Sequence, residues 1–274
     1  MYGSQRALRD LHERVLDGVG ACYETVLVPW LDANAEELGW FASVAARSQL
    51  EWCPDDEALC RLHAAARVND VLLLCFQPPP GDPAEWRGPS LSPQEYVAFM
   101  TALGMRVVTR PAFHPFFHEL VSVEAASDVH APIEITSVRW PCLMLGELLL
   151  SRAGVAIRAG AARIVPQIAE TSTLYWATRR AHRPASDLSH GWGSNSRWRT
   201  PLRRDFVAGS RLHFNAQGKW DLGAGGGTAR GPADDELTIE ERIELLVHRS
   251  FVRTAKPHAD LWPFDDRLIS ADEP

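Results

Sequence analysis

The stretch HELVSVEAASDVHAPIEITSVRWPCLMLGELLLSRAGVAIR, residues 118–158, decides the fold class. His118–Glu124 and Ile133–Trp140 alternate apolar and polar residues with period two, the pattern of half-buried strands. The apolar run Trp140–Leu150 is broken by Glu147 and is too short to cross a bilayer. Val155–Arg158 and Arg163–Val165 flank Ala-Gly-Ala and read as a hairpin. Strands therefore dominate the middle of the chain.

Toward the N-terminus the period changes. Met105–Val108 reads as a strand, preceded by a helix that Ser92 caps, with Pro93 first, Glu95 three residues after the cap and Gly104 as its stop. Residues 78–93, PPPGDPAEWRGPSLSP, are a loop, and Val71–Phe76 reads as a short buried strand. Four helices are expected before it. Leu8, Leu11 and Val15 mark the first, between Ser4 as cap and Gly18. Val26–Leu31 mark the second, kinked or ended by Pro29. Ala35–Gln49 form the third, and Leu59, Leu62 and Ala66 line the fourth, capped by Asp55 or Asp56.

Toward the C-terminus, Thr173–His182 fits strand or helix. Phe206–Val207 and Leu212–Phe214 flank Ala208-Gly209-Ser210 as a second hairpin, and Gly223–Pro232 is a loop. Thr238 caps a helix carrying Ile239, Ile243, Leu246 and Val247, and the tail after Pro257 shows little repeating pattern. The expected architecture is α+β: an N-terminal helical layer packed on a mostly antiparallel sheet, with a C-terminal amphipathic helix. Residues 1–68 form the layer and 69–274 the body, as one continuous globular unit.

Composition narrows the function. Of 28 basic residues only Lys219 and Lys256 are lysines, a bias toward arginine that reads as a GC-rich bacterial coding sequence. The formal charge of −7 argues against a general nucleic-acid binder. The five cysteines (Cys22, Cys53, Cys60, Cys75, Cys142) include no CxxC spacing, and MYGSQRALRDLHER alternates charges where a secretory leader is apolar. Disulfide frameworks and zinc ribbons are not expected. A cytoplasmic location and no membrane association are.

Residues 179–205, RRAHRPASDLSHGWGSNSRWRTPLRRD, set seven arginines against two aspartates, giving +5 locally and leaving −12 elsewhere. A basic concavity of this kind concentrates anions. Gly191 and Gly193 allow close backbone approach, Ser194, Asn195 and Ser196 add short hydrogen-bonding groups, and Trp192 and Trp198 offer stacking surfaces. Trp192, Ser194, Asn195, Arg197, Arg199, Arg203 and Arg204 are thus the expected substrate-binding set, the arginines forming an anion clamp. The plain alternative is that the tryptophan fills the core and the arginines pair with the chain's own acids. The stretch lacks the ending of a P-loop, a dinucleotide fingerprint and a nucleophile elbow, so no cofactor is expected.

His190, beside those glycines, is the first candidate general acid–base because imidazole titrates near neutrality. His118 and Glu119 are the second candidates. His114, His118 and Glu119 resemble a metal set only on a helix; Pro115 favours a turn into a strand, so no metal ligand is assigned. Glu119 then falls beside Val121 and Val123, where a carboxylate needs an arginine or is functionally perturbed. Glu147, in its apolar run, needs a partner such as Arg152 or a polar cavity to point into, and Asp187 or Asp205 are expected to orient a histidine or fix an arginine. The expected function is an enzyme acting on a small phosphate- or carboxylate-bearing metabolite by hydrolysis or group transfer. The other reading is a non-catalytic immunity or regulatory protein that meets a protein partner through its acidic surface.

Overall fold

The computed structural model describes residues 5–79, 86–187, 189, 196–223, 237–256 and 265–272. Helix α1 (Arg6–Asp17) buries Leu8, Leu11 and Val15 and stops at Gly18. Ser4 lies outside the described residues. A π-helical turn, Tyr23–Leu27, runs into α2 (Val28–Ala33), and Pro29 sits in the first turn of α2. Pro29 does not end the helix: Leu27 and Val28 are both helical, and the π-helical turn immediately before Pro29 is where the regular hydrogen-bond pattern is broken. Helix α3 (Ala35–Ala45) is four residues shorter than the expected Ala35–Gln49. Asp55 caps α4 (Asp56–Leu72) by accepting from the Ala58 N–H at 2.8 Å.

Helix α4 overturns one expectation. Val71–Phe76 is not a strand: the helix continues to Leu72 and tightens into a 3-10 turn, Leu73–Phe76. A short apolar run cannot separate a strand from the buried end of a helix, and nothing breaks the helix before Pro78. The helix carries the chain through residues 68 and 69, and one apolar cluster takes Leu11, Phe41 and Leu62 together with Phe99, Leu143 and Phe206. Helix α5 (Pro93–Ala102) has the capping box of Ser92 and Glu95, and Gly104 follows it at φ +86°.

The fold is α+β. One sheet has seven strands in the order β1 (Arg106–Val108), β4 (Cys142–Leu145), β5 (Leu148–Ser151), β9 (Asp205–Ala208), β10 (Arg211–Phe214), β12 (Asp266–Ala271), β11 (Trp220–Asp221). Its neighbours are antiparallel except β11 and β12. A second sheet places β6 (Ala153–Ala159) between β2 (His118–Ala125), parallel to it, and β3 (Glu134–Trp140), antiparallel. Alternation along β4 and β5 builds the layers. Leu143, Leu145, Leu148 and Leu150 join the cluster under the helices, whereas Cys142, Met144 and Leu149 join a second cluster with Leu120, Val155 and Ile157 of the smaller sheet.

The remaining corrections are local. Arg163–Val165 does not close a hairpin; the chain turns after Ala159 and enters α6 (Pro166–Thr171), with proline at its start. Within Thr173–His182 the described structure is a two-residue strand, β7 (Leu174–Tyr175), parallel to β8 (Ala185–Ser186). The tail is not irregular throughout, since β12 pairs with β10 from Phe214–Leu268 to Arg211–Ala271. Thr238 caps α7 (Ile239–His248) with a capping box completed by Glu241. No described helix is long and apolar enough to cross a membrane.

Candidate functional site

Helix α4 carries its polar residues in a stripe. His63, Arg67 and Asp70 recur at i, i+4 and i+7, all buried, with Asn69 alongside. The stripe faces the chain from Leu174 to Asp187 and the 3-10 turn Ser196–Trp198, forming a polar seam within an otherwise apolar interior.

Trp198 anchors the outer end. It is buried, with the Arg67 guanidinium 5.0 Å above its ring and the His12 ring edge-on at 5.2 Å. Arg67 forms an ion pair with Asp187, whose carboxylate also accepts the Ser189 N–H at 3.0 Å and hydroxyl at 2.5 Å. Burial, opposed by Asp187 and reinforced by Arg197, lowers the Arg67 guanidinium. Burial and Arg67, aided by Arg179, pull the His12 imidazole down to about 4. Arg179 lies 5.5 Å over Trp86. Gly88, at φ +94°, presses this chain onto the helix end: a Cβ there would lie 2.6 Å from the Cys75 nitrogen. Arg67 Nε, His63 Nδ1 and His12 Nδ1 are buried without a partner among the described residues. Burial takes His63 down to about 4 as well, against the pull of Asp187.

The inner end is a network of buried charge. Arg180 donates from Nε and Nη2 to the two Glu119 oxygens at 2.7 and 2.8 Å, and meets Asp70 at 2.7 Å. Asp70 also accepts the Thr178 N–H and hydroxyl at 2.6 and 2.9 Å. Burial works to raise the Glu119 carboxyl, but the Arg180 guanidinium overrides it and holds the group below its usual range. Asp205 receives Arg152 at 3.1 Å and Arg249 at 2.7 Å on one oxygen and the Asn215 N–H at 2.9 Å on the other. Tyr96 donates to Asn69, which donates to Ser151. Both arms line a cavity of about 30 Å3.

The expected site residues scatter across this frame. His190, Trp192, Ser194 and Asn195 lie outside the described residues. Arg197 belongs to the outer cluster. Arg199, exposed, lies near the start of α4, where its charge acts on Cys60. Arg203 is half-buried and feels Asp265. Arg204 is buried, donating to the Gln49 carbonyl at 3.2 Å and stacked over Trp52 and Phe206. These four arginines are therefore spread along the chain's path, and of them the Arg197 charge acts on Arg67.

Strand alternation sends His118 and Glu119 apart. Glu119 joins the inner network, while His118 stacks on Phe113 at 5.6 Å, and its Nδ1 receives the His114 N–H at 2.9 Å. That bond marks the turn from which β2 starts. A bulge between Leu120 and Ser122 also breaks the expected side-by-side placement of Val121 and Val123, which enter different clusters. Glu147 pairs not with Arg152 but with the Gln49 N–H at 2.7 Å, because Arg152 is committed to Asp205. Among the described residues no group of three His, Cys, Asp or Glu side chains is placed to hold a metal ion.

Sequence reasoning missed His63, Arg67, Asn69 and Asp70, and Trp176 and Arg249 altogether, and it placed Arg152 with Glu147 where the structure pairs it with Asp205. The helix-spaced polar residues among Ala64–Ala66 were the available signal for the first group. No protein-family model, curated protein or solved structure matches the chain.

Proposed function

We propose that the chain binds a small phosphate- or carboxylate-bearing metabolite at the outer cluster and acts on it by hydrolysis or group transfer. The observation that carries this reading is Arg67 over Trp198, with the charges of Arg179 and Arg197 acting on His12 and Arg67 and, among the described residues, one contacting carboxylate, Asp187. Glu13 and Asp70 act on the cluster at longer range but are held by Arg9 and Arg180. Among the described residues two positive charges are left in excess, in a chain of net charge −7, and a dianion answers that excess. Guanidinium forks suit phosphate and carboxylate oxygens.

His12 is the acid–base group in this reading. It is neutral at pH 7 because burial and the two arginines oppose its proton. A bound anion offsets those arginines and raises the imidazole toward neutrality, where a base works best. In hydrolysis His12 takes a proton from the attacking water. The leaving group departs with its electron pair, and the imidazolium returns the proton to it.

Thermal unfolding against inorganic phosphate, pyrophosphate, citrate and acetate at matched ionic strength tests the binding. An anion at about one hundred times its dissociation constant raises Tm by about 5–10 °C for a chain of this size. The rise with one anion class, and its loss in Arg197→Ala, is the expected result. Equal Tm across the set would favour the acidic-surface partner reading instead.

A further inference from the structure

Arg67 is the part of the outer cluster that an anion has to reach, and it is covered. It is 8 % exposed, with the Trp198 ring on one side of the guanidinium and the Asp187 carboxylate on Nη1. That pair joins one oxygen, Oδ2, to one nitrogen, while Arg67 Nε is buried without a partner among the described residues. An oxyanion with two or three oxygens on one centre takes two N–H groups of a guanidinium at once, and such forked pairs are the stronger ones.

Asp187 is also the carboxylate of the seam with the least to hold it. Asp70 stands on α4, Glu119 on β2 and Asp205 on β9, and each receives donors from other segments on both oxygens. Asp187 follows β8, outside any described helix or strand. Its second oxygen, Oδ1, is taken by the N–H and hydroxyl of Ser189, two residues on. Those contacts travel with Asp187, so the Arg67 pair is the described bond that must break for the carboxylate to swing away.

The exchange keeps every charge answered. Burial works to raise the Asp187 carboxyl, but the Ser189 donors, with the His63 and Arg67 charges, hold it below its usual range. It leaves as an anion with its Ser189 bonds intact. The arriving anion takes its place on Arg67, so the guanidinium is not left buried and unpaired, the state that makes breaking such pairs costly. The Trp198 ring, 5.0 Å from the guanidinium, keeps it in position meanwhile.

We infer that Asp187 is an autoinhibitory carboxylate: in the free protein it occupies the Arg67 guanidinium, and the anionic group of the ligand displaces it. The inference rests on the anion-binding reading above and adds a closed and an open state to it. Apparent affinity is then reduced by the fraction of molecules that are open. Asp187 also selects among ligands. A monocarboxylate offers Arg67 no more than Asp187 does, whereas a phosphate group brings more charge and more oxygens.

The test compares wild type with Asp187→Asn in two measurements: phenylglyoxal labelling of arginines, mapped by peptide mass, and calorimetric titration of pyrophosphate at fixed ionic strength. Asparagine keeps the shape and drops the charge that holds the side chain on Arg67. The inference predicts that Arg67 is labelled at least tenfold faster in the variant, with the buried Arg152 and Arg204 unchanged, and that pyrophosphate binds at least tenfold more tightly. Loss of a nearby negative charge tightens anion binding by itself, and the labelling separates that effect from displacement. Arg67 labelled no faster, or pyrophosphate bound no more tightly than by the wild type, overturns the inference and leaves the anion reading standing. Faster labelling at all three arginines means that the variant has loosened as a whole, and the wild type then decides. Its stopped-flow fluorescence rate reaches a plateau with rising pyrophosphate if Asp187 must leave first, and a rate that stays linear overturns the inference. Pyrophosphate bound by neither protein contradicts the anion reading itself, and the inference falls with it.

Discussion

Arg180 shows how one side chain organises the seam. Its guanidinium spans two carboxylates whose side chains are 8 % and 6 % exposed, Asp70 on α4 and Glu119 on β2, so it ties the helical layer to the smaller sheet. Removing it leaves both carboxylates buried without their cation. Arg180→Ala is therefore expected to lose about 3–5 kcal/mol of unfolding free energy, measured by urea denaturation. A loss under ~1 kcal/mol would mean that water already reaches the pair. Arg197 is the contrasting case, since it is exposed. Arg197→Ala should change Tm in anion-free buffer by less than about 2 °C, because surface substitutions usually stay within about 0.5 kcal/mol. In the proposed reading its effect is on anion binding.

At the scale of elements, β6 is held from both sides, and its glycine is chosen by a neighbour. A Cβ on Gly154 would lie 2.4 Å from the Trp140 indole, which packs across from β3 and donates to the Arg152 carbonyl at 2.9 Å. Gly154→Ala must displace that ring, at a cost of about 1–3 kcal/mol. Near-UV circular dichroism should change with it, and an unchanged spectrum at wild-type stability would contradict the packing. Elements with local chemistry were legible in the sequence. Asp55, Ser92 and Thr238 announce their helices, and the Ala208-Gly209-Ser210 turn announces β9 and β10. What stayed hidden depends on distant partners. Val71–Phe76 is apolar on every side, so no period separates helix from strand. The pairing of β12 with β10 joins residues more than fifty positions apart. The charged seam was half visible. Glu119's need for an arginine follows from its strand, but which arginine answers it is set by the crossing of the 174–187 segment over α4.

Across the whole molecule, the histidines make folding acid-sensitive. Burial first, with nearby arginines, takes His12, His63, His118 and His182 to about 4 and His248 to about 3. Each is lower than the ordinary value of 6.5, so the unfolded chain binds more protons between those limits. Their contribution to stability is complete above pH 6.5 and falls away as pH drops toward 4. The carboxyls of Glu119, Asp187 and Asp205, held low by their partners, add to the loss as they protonate. Urea midpoints should fall steadily from pH 7 to pH 4.5, and a flat profile would contradict the burial of these rings. In the proposed reading, the same cationic surroundings that keep His12 neutral favour an anion at the outer cluster. The most direct test is calorimetric titration of pyrophosphate into wild type and Arg197→Ala at fixed ionic strength, in two buffers of different ionisation enthalpy. The account predicts one bound equivalent, proton uptake on binding as His12 rises, and at least a tenfold loss of affinity in the variant. No binding to the wild type, or equal affinity in the two proteins, would contradict it.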